Sequence, residues 1–91
     1  MRKRLTVRVQ GRVQGVSFRY STQRKALELG LLGWVRNESN GDVSLVAEGT
    51  EEALLGLLAF VKIGPSHARV DDLSVEWGVA EKTFERFRIA L

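Results

Sequence analysis

Leu5-Thr6-Val7-Arg8-Val9-Gln10-Gly11-Arg12-Val13-Gln14-Gly15-Val16-Ser17-Phe18-Arg19 reads as a strand that passes through a glycine-spaced turn into a helix. Leu5, Val7 and Val9 alternate with Thr6, Arg8 and Gln10, the period of a strand with one buried face. Beyond the turn, Phe18, Thr22, Ala26 and Leu29 fall on one helical stripe. Ser17 is placed to cap the start of that helix, and Gly30 to end it as a left-handed residue. A strand feeding directly into a helix leaves several N–H groups without partners at the junction. Glycines let that backbone wrap round a point, and Arg19 in the first helical turn adds a fixed fork of donors. The natural guest is a dianion of phosphate size.

Downstream, Gly33-Trp34-Val35-Arg36-Asn37 and Val43-Ser44-Leu45-Val46-Ala47-Glu48 flank Asn40-Gly41, the signature of a tight hairpin. Thr50 caps a second helix with Glu51 and Glu52 in its first turn and Lys62 in its last, and Gly64-Pro65 stops it. Leu73, Val75 and Trp77 alternate in a further strand, followed by Phe87, Ile89 and Leu91 in a short last one, and the two strand tryptophans, Trp34 and Trp77, read as core or sheet-face packing. The order βαββαβ, with an extra short terminal strand, is that of the α+β ferredoxin-like sandwich. One antiparallel sheet with two helices packed on one face is the expected architecture.

A chain of 91 residues supports one core, so a single domain over 1–91 is expected. Charge is unevenly placed. Residues 1–36 hold nine Lys or Arg against Glu28 alone, whereas residues 37–91 hold five basic and ten acidic side chains. The glycine turn therefore lies in the basic stretch, although most of these charges read as ordinary solvated groups. No segment approaches the ~20 apolar residues of a membrane span. Met1-Arg2-Lys3-Arg4 leads into an alternating strand rather than the apolar heart of an export signal, which makes the cytoplasm the expected location.

Elimination narrows the chemistry. There is no cysteine, so thiolate catalysis is excluded. The one histidine, His67, stands in the turn after the second helix and reads as a solvent-facing residue. Glu51/Glu52 and Asp71/Asp72 are sequence neighbours, which point to different sides of a helix or strand, so they read as surface charges rather than a metal or acid–base pair. What remains is an anion cradle with an arginine and no proton carrier. Acyl phosphates suit it, because their leaving group is a carboxylate with a conjugate-acid pKa of ~4 that departs unprotonated. A phosphate monoester would lack its general acid here. Asn37, at the end of its strand, can donate to and accept from a water but cannot take its proton. On its own this signal is weak, because Asn37-Glu38-Ser39-Asn40-Gly41 is also what an ordinary turn looks like.

Gly11 to Arg19, followed by Gly33-Trp34-Val35-Arg36-Asn37, resembles the two signature motifs of the acylphosphatases. The likeness extends through Gly41-Asp42-Val43, Glu48-Gly49, Gly64-Pro65, Ala68-Arg69-Val70 and Phe87-Arg88-Ile89. It implies hydrolysis of the carboxyl–phosphate bond of an acyl phosphate to a carboxylate and inorganic phosphate, with phosphate as product and competitive ligand. By that resemblance the amides of Gly15, Val16, Ser17, Phe18 and Arg19 cradle the phosphate, the Arg19 guanidinium binds it, and Asn37 places the attacking water. It implies no metal and no cofactor.

Ser17 stands where relatives often carry glycine or an aromatic residue, and Met1 to Arg4 reads as a variable extension. A binding module is the rival reading, since ferredoxin-like sheets also bind RNA. Such sheets expose aromatics on their central strands, and Leu5 to Gln10 and Val43 to Glu48 hold none, so no nucleic-acid partner is expected. Acylphosphatase-like domains also begin larger carbamoyl-transferring proteins. The chain's end at Leu91 favours a free-standing enzyme. The apolar second helix reads as a broad buried face, with self-association as its alternative, and a monomer is expected.

Overall fold

The computed structural model describes residues 2–91. Seven elements follow in order: β1 (Arg2–Arg12), α1 (Phe18–Glu28), β2 (Leu32–Asn37), β3 (Val43–Thr50), α2 (Glu51–Val61), β4 (Arg69–Val79) and β5 (Phe87–Ile89). The strands form one sheet in the order β4-β1-β3-β2-β5. The pairs β1/β3, β1/β4 and β2/β3 are antiparallel, as the sequence predicts, but β5 lies parallel to β2, so the sheet is mixed. The reason is connectivity: after β4 the chain crosses from one edge of the sheet to the other and arrives beside β2 running in β2's direction.

Leu5, Val7 and Val9 of β1, Val35 of β2 and Leu45 and Ala47 of β3 form the apolar face of the sheet, all fully buried. Phe18, Thr22 and Ala26 of α1 and Leu54, Leu57 and Val61 of α2 close over it. Fully burying a Leu or Val side chain contributes about 1.5–3 kcal/mol, so this stripe rather than intrinsic propensity holds two helices of 11 residues each. The breadth of apolar residues on α2 points mostly inward: Leu58 and Phe60 pack against the core, and Leu55 is exposed.

The helix ends follow the sequence closely. Thr50 Oγ1 accepts from the Ala53 amide at 3.2 Å, and Lys62 is the C-terminal cap of α2 rather than part of its last turn. Gly30 takes φ 72°; its amide donates to the Leu27 carbonyl and that of Leu31 to Ala26, the paired bonds of a Schellman motif. The hairpin is looser than a two-residue turn. Asn37 pairs with Val43 and residues 38–42 form the connection, in which Gly41 but not Asn40 has positive φ.

Two further expectations change. Arg2, Lys3 and Arg4 belong to β1 and pair with Thr50, Gly49 and Glu48, so they are sheet rather than extension; Met1 lies outside the described residues. On β4, Leu73, Val75 and Trp77 stand in register with Val9, Val7 and Leu5, yet Trp77 is 43% exposed. Two helices suffice to cover β1, β3, β2 and β5, and edge strand β4 overhangs them. Leu91 lies beyond β5 and is exposed. No helix among the described residues is long and apolar enough to cross a membrane.

Candidate active site

The chain leaves β1 at Arg12, buries Val13 and turns through Gly15 (φ 76°) and Ser17 (φ 63°) before α1 begins at Phe18. Left-handed residues alternating with ordinary ones bring successive N–H groups to one side of the backbone, a concavity suited to anions. Ser17 occupies the N-cap position, as the sequence predicts, but its side chain caps nothing. Its backbone is left-handed, so the residue serves the curvature of the loop instead. That conformation costs an L-residue about 1–2 kcal/mol. Among the described residues the amides of Gly15, Val16, Ser17, Phe18 and Arg19 donate to no backbone or side-chain acceptor; the first bonded amide here is Ser21, to the Ser17 carbonyl at 3.0 Å. The Phe18 ring itself lies in the core, which anchors the first turn of the helix.

Arg19 projects from that first turn and is half-buried. The ion pairs among the described residues involve Lys3, Arg4, Arg8, Lys25, Arg36 and Arg69, so the Arg19 guanidinium has no carboxylate to neutralise it. Asn37 closes the site from β2. It lies two residues beyond buried Val35 on the same side of the sheet, and its Oδ1 is buried without a hydrogen-bond partner. Gly15, Ser17, Phe18, Arg19 and Asn37 line one cavity of about 170 Å³, with Val13, Tyr20 and Ile89 completing its wall. That volume holds a phosphoryl group with a water beside it, liquid water claiming about 30 Å³ per molecule. Val16 packs against the core and offers the cavity no side chain.

A larger hollow of about 540 Å³ lies on the open face of the sheet, lined in part by Arg8, Trp34, Arg36 and Glu76. Its cations are already matched. Arg36 Nε is 2.9 Å from Glu38, and Arg8 lies 3.6 Å from Glu38 and 3.7 Å from Asp42. The hydrogen bond from Arg36, then that from Ser44, holds the Glu38 carboxyl below its usual range. The Trp34 ring is covered by the Arg36 guanidinium at 4.7 Å. A neutralised hollow attracts a dianion less than the smaller cavity with its unpaired arginine.

Among the described residues His67 is exposed and within hydrogen-bond range only of neighbouring Ser66, and Glu51, Glu52, Asp71 and Asp72 are all exposed and outside the cavity. One neighbour of the site escapes sequence reading. Gln14 Nε2 donates to the carbonyls of Glu38 at 2.8 Å and Asp42 at 2.9 Å, joining the glycine loop to the hairpin connection just after Asn37. Its place between Val13 and Gly15 is the only hint in the sequence.

The acylphosphatase family model matches residues 5–89, a span that holds both the loop and Asn37. The chain belongs to the acylphosphatase family. An acylphosphatase of Salinibacter ruber is 51% identical over 87 residues, covering 96% of this chain and 92% of the relative. The crystal structure of acylphosphatase from Bacillus subtilis superposes with a TM-score of 0.94 at 39% identity, over 98% of this chain and 99% of that one. An acylphosphatase structure from Coxiella burnetii gives 0.92 at 42% identity, over 98% and 93%. This enzyme is accordingly a hydrolase of acyl phosphates, and phosphate is one of its products.

Proposed function

We propose that the enzyme cleaves acyl phosphates by in-line attack of a water oriented by Asn37 on a phosphoryl group held by the amides of residues 15–19 and by Arg19. The observation that carries this reading is the convergence on one small cavity of unpartnered loop amides, an arginine without a counter-ion and the buried, unpartnered Oδ1 of Asn37. Amides and guanidinium are donors only, which suits phosphoryl oxygens. Asn37 Oδ1 is an acceptor, which suits a water O–H and not the phosphate.

The water oxygen forms a bond to phosphorus as the bond from phosphorus to the acyl oxygen breaks, and the electron pair leaves on the carboxylate. The water proton passes to a phosphoryl oxygen of the substrate, since no side chain in the cavity is a base at neutral pH. Catalysis then consists of holding charge and aiming the nucleophile, the two contributions that phosphoryl transfer most needs. A single-domain, monomeric cytoplasmic enzyme without metal or cofactor completes the reading.

The test pairs two substrates with one variant. Benzoyl phosphate is expected to turn over, and p-nitrophenyl phosphate, whose leaving group is the poorer one, scarcely at all. Asn37→Ala is expected to lower kcat on benzoyl phosphate roughly a hundredfold while leaving the inhibition constant of inorganic phosphate within about twofold of the unaltered enzyme. Full turnover by Asn37→Ala would remove the assignment of the water.

A further inference from the structure

We infer that Gln14 is a positioning residue that sets where Asn37 holds its water, a role resting on the reading above. Asn37 ends β2, and the chain beyond it turns sharply through residues 38–42 before β3 begins at Val43. That connection carries its own bonds: the Glu38 amide donates to the Asp42 carbonyl at 2.8 Å and that of Gly41 to Glu38 at 3.2 Å. None of them refers the connection to the phosphate loop. The carboxamide of Gln14 does, because one nitrogen bonds the carbonyls at both ends, Glu38 at 2.8 Å and Asp42 at 2.9 Å.

The chemistry of the group matches the job. An amide NH2 has two donors, and two facing carbonyls consume both. Gln14 is joined by a single peptide bond to Gly15, where the left-handed turn of the cradle starts, and Glu38 by a single peptide bond to Asn37. One side chain thus adds a direct tie between the phosphate loop and the strand end that carries the water acceptor, beside the sheet pairing that joins β1 to β2 through β3. On the far side of the connection Arg36 and Arg8 hold the Glu38 and Asp42 carboxylates, but those contacts bind it to the sheet and not to the loop.

Small displacements of a nucleophile are costly in rate and nearly neutral for binding of the group it attacks. Gln14→Met keeps length and bulk and removes both donors. It is expected to lower kcat on benzoyl phosphate roughly ten- to a hundredfold, with the inhibition constant of inorganic phosphate unchanged within about twofold. In an Asn37→Ala background the same substitution is expected to cost nothing further, because there is no longer an oriented water to misplace. Gln14→Leu, likewise uncharged and without donors, is expected to repeat both results. Unchanged kcat, an equal loss with and without Asn37, or a phosphate constant that rises in step with the loss of kcat would each overturn the role. Retained activity of Asn37→Ala alone would instead overturn the underlying assignment of the water. The two failures are therefore told apart by which single variant is silent.

Discussion

Glu48 is the one buried carboxylate whose removal separates the stability of this fold from its chemistry. Its side chain lies at the end of the sheet remote from Asn37, opposite Arg4 on β1 and Leu32 on β2. Oε2 accepts from Arg4 Nε at 2.8 Å and from the Glu81 amide at 2.8 Å, and Oε1 accepts from the Lys82 amide at 3.0 Å. Phe84 lies under the same Arg4 guanidinium at 5.2 Å. These contacts pin the segment that carries the chain across to β5, and β5 delivers Phe87 to the core and Ile89 to the cavity wall. Glu48→Gln keeps the shape but has one carbonyl oxygen where two carboxylate oxygens stood. Whichever way the amide turns, at least one of three donors then faces an NH2.

An orphaned buried donor costs about 1–3 kcal/mol, and the charge-assisted bond to Arg4 weakens as well. Water can reach the amides of exposed Glu81 and Lys82, which brings the total to about 2 kcal/mol. For a domain of this size that lowers Tm by about 10 °C. The pH dependence has a definite sign. Burial pushes the Glu48 carboxyl up, but the Glu81 amide, Arg4 and the Lys82 amide together hold it below its ordinary value of 4.5. A carboxyl depressed in the folded state stabilises fully above its unfolded value and loses that contribution as pH falls through the folded one. The difference in Tm between unaltered protein and Glu48→Gln is thus largest near neutrality, and it shrinks once pH drops below 4.5. Thermal unfolding followed by circular dichroism from pH 7 down to about 3 measures it, with the phosphate inhibition constant as the control for the site. A gap under about 3 °C at pH 7, or one that widens in acid, would refute the reasoning.

Arg19→Ala is expected to lose phosphate affinity and kcat/KM together, by roughly 10²–10³ in the latter. Arg19→Lys should recover little of it, because an ammonium cannot reproduce the planar fork; recovery to near full activity would reduce Arg19 to a point charge. Since Arg19 has no ion pair to lose, the urea midpoint of both variants should stay at that of the unaltered protein. At Ser17, φ 63° predicts that Ser17→Gly is as stable as serine or slightly more so, while Ser17→Val, strained in that region, falls by about 2 kcal/mol in urea unfolding. Equal stability of serine and valine would show that the loop is not left-handed there.

Much of the fold is legible in the sequence because its signals are local. Alternation in Leu5 to Gln10 and the stripe through Phe18, Thr22 and Ala26 depend only on the geometry of a single strand or helix. Caps behave the same way, as Thr50 and Gly30 illustrate. The misread elements are those whose fate depends on neighbours. Leu73, Val75 and Trp77 alternate as a buried strand does, yet only Leu73 packs against the core, and the exposure of Val75 and Trp77 follows from how far two helices reach across five strands. Ser17 has the chemistry of a cap, but the curvature of the loop requires its backbone more than its hydroxyl.

The candidate site divides along the same line. Residue order alone determined that a glycine loop precedes a helix, that Arg19 falls in its first turn and that no cysteine and a single loop histidine are available for chemistry. Only the tertiary structure decided that Asn37, remote in sequence from the loop, reaches the same cavity, that Arg19 stays unpaired while Arg8 and Arg36 do not, and that Gln14 bridges the two segments. Backbone geometry and composition are properties of a residue and its immediate neighbours. Charge pairing and convergence are properties of distances between segments, and those distances exist only once the sheet has set its order and register.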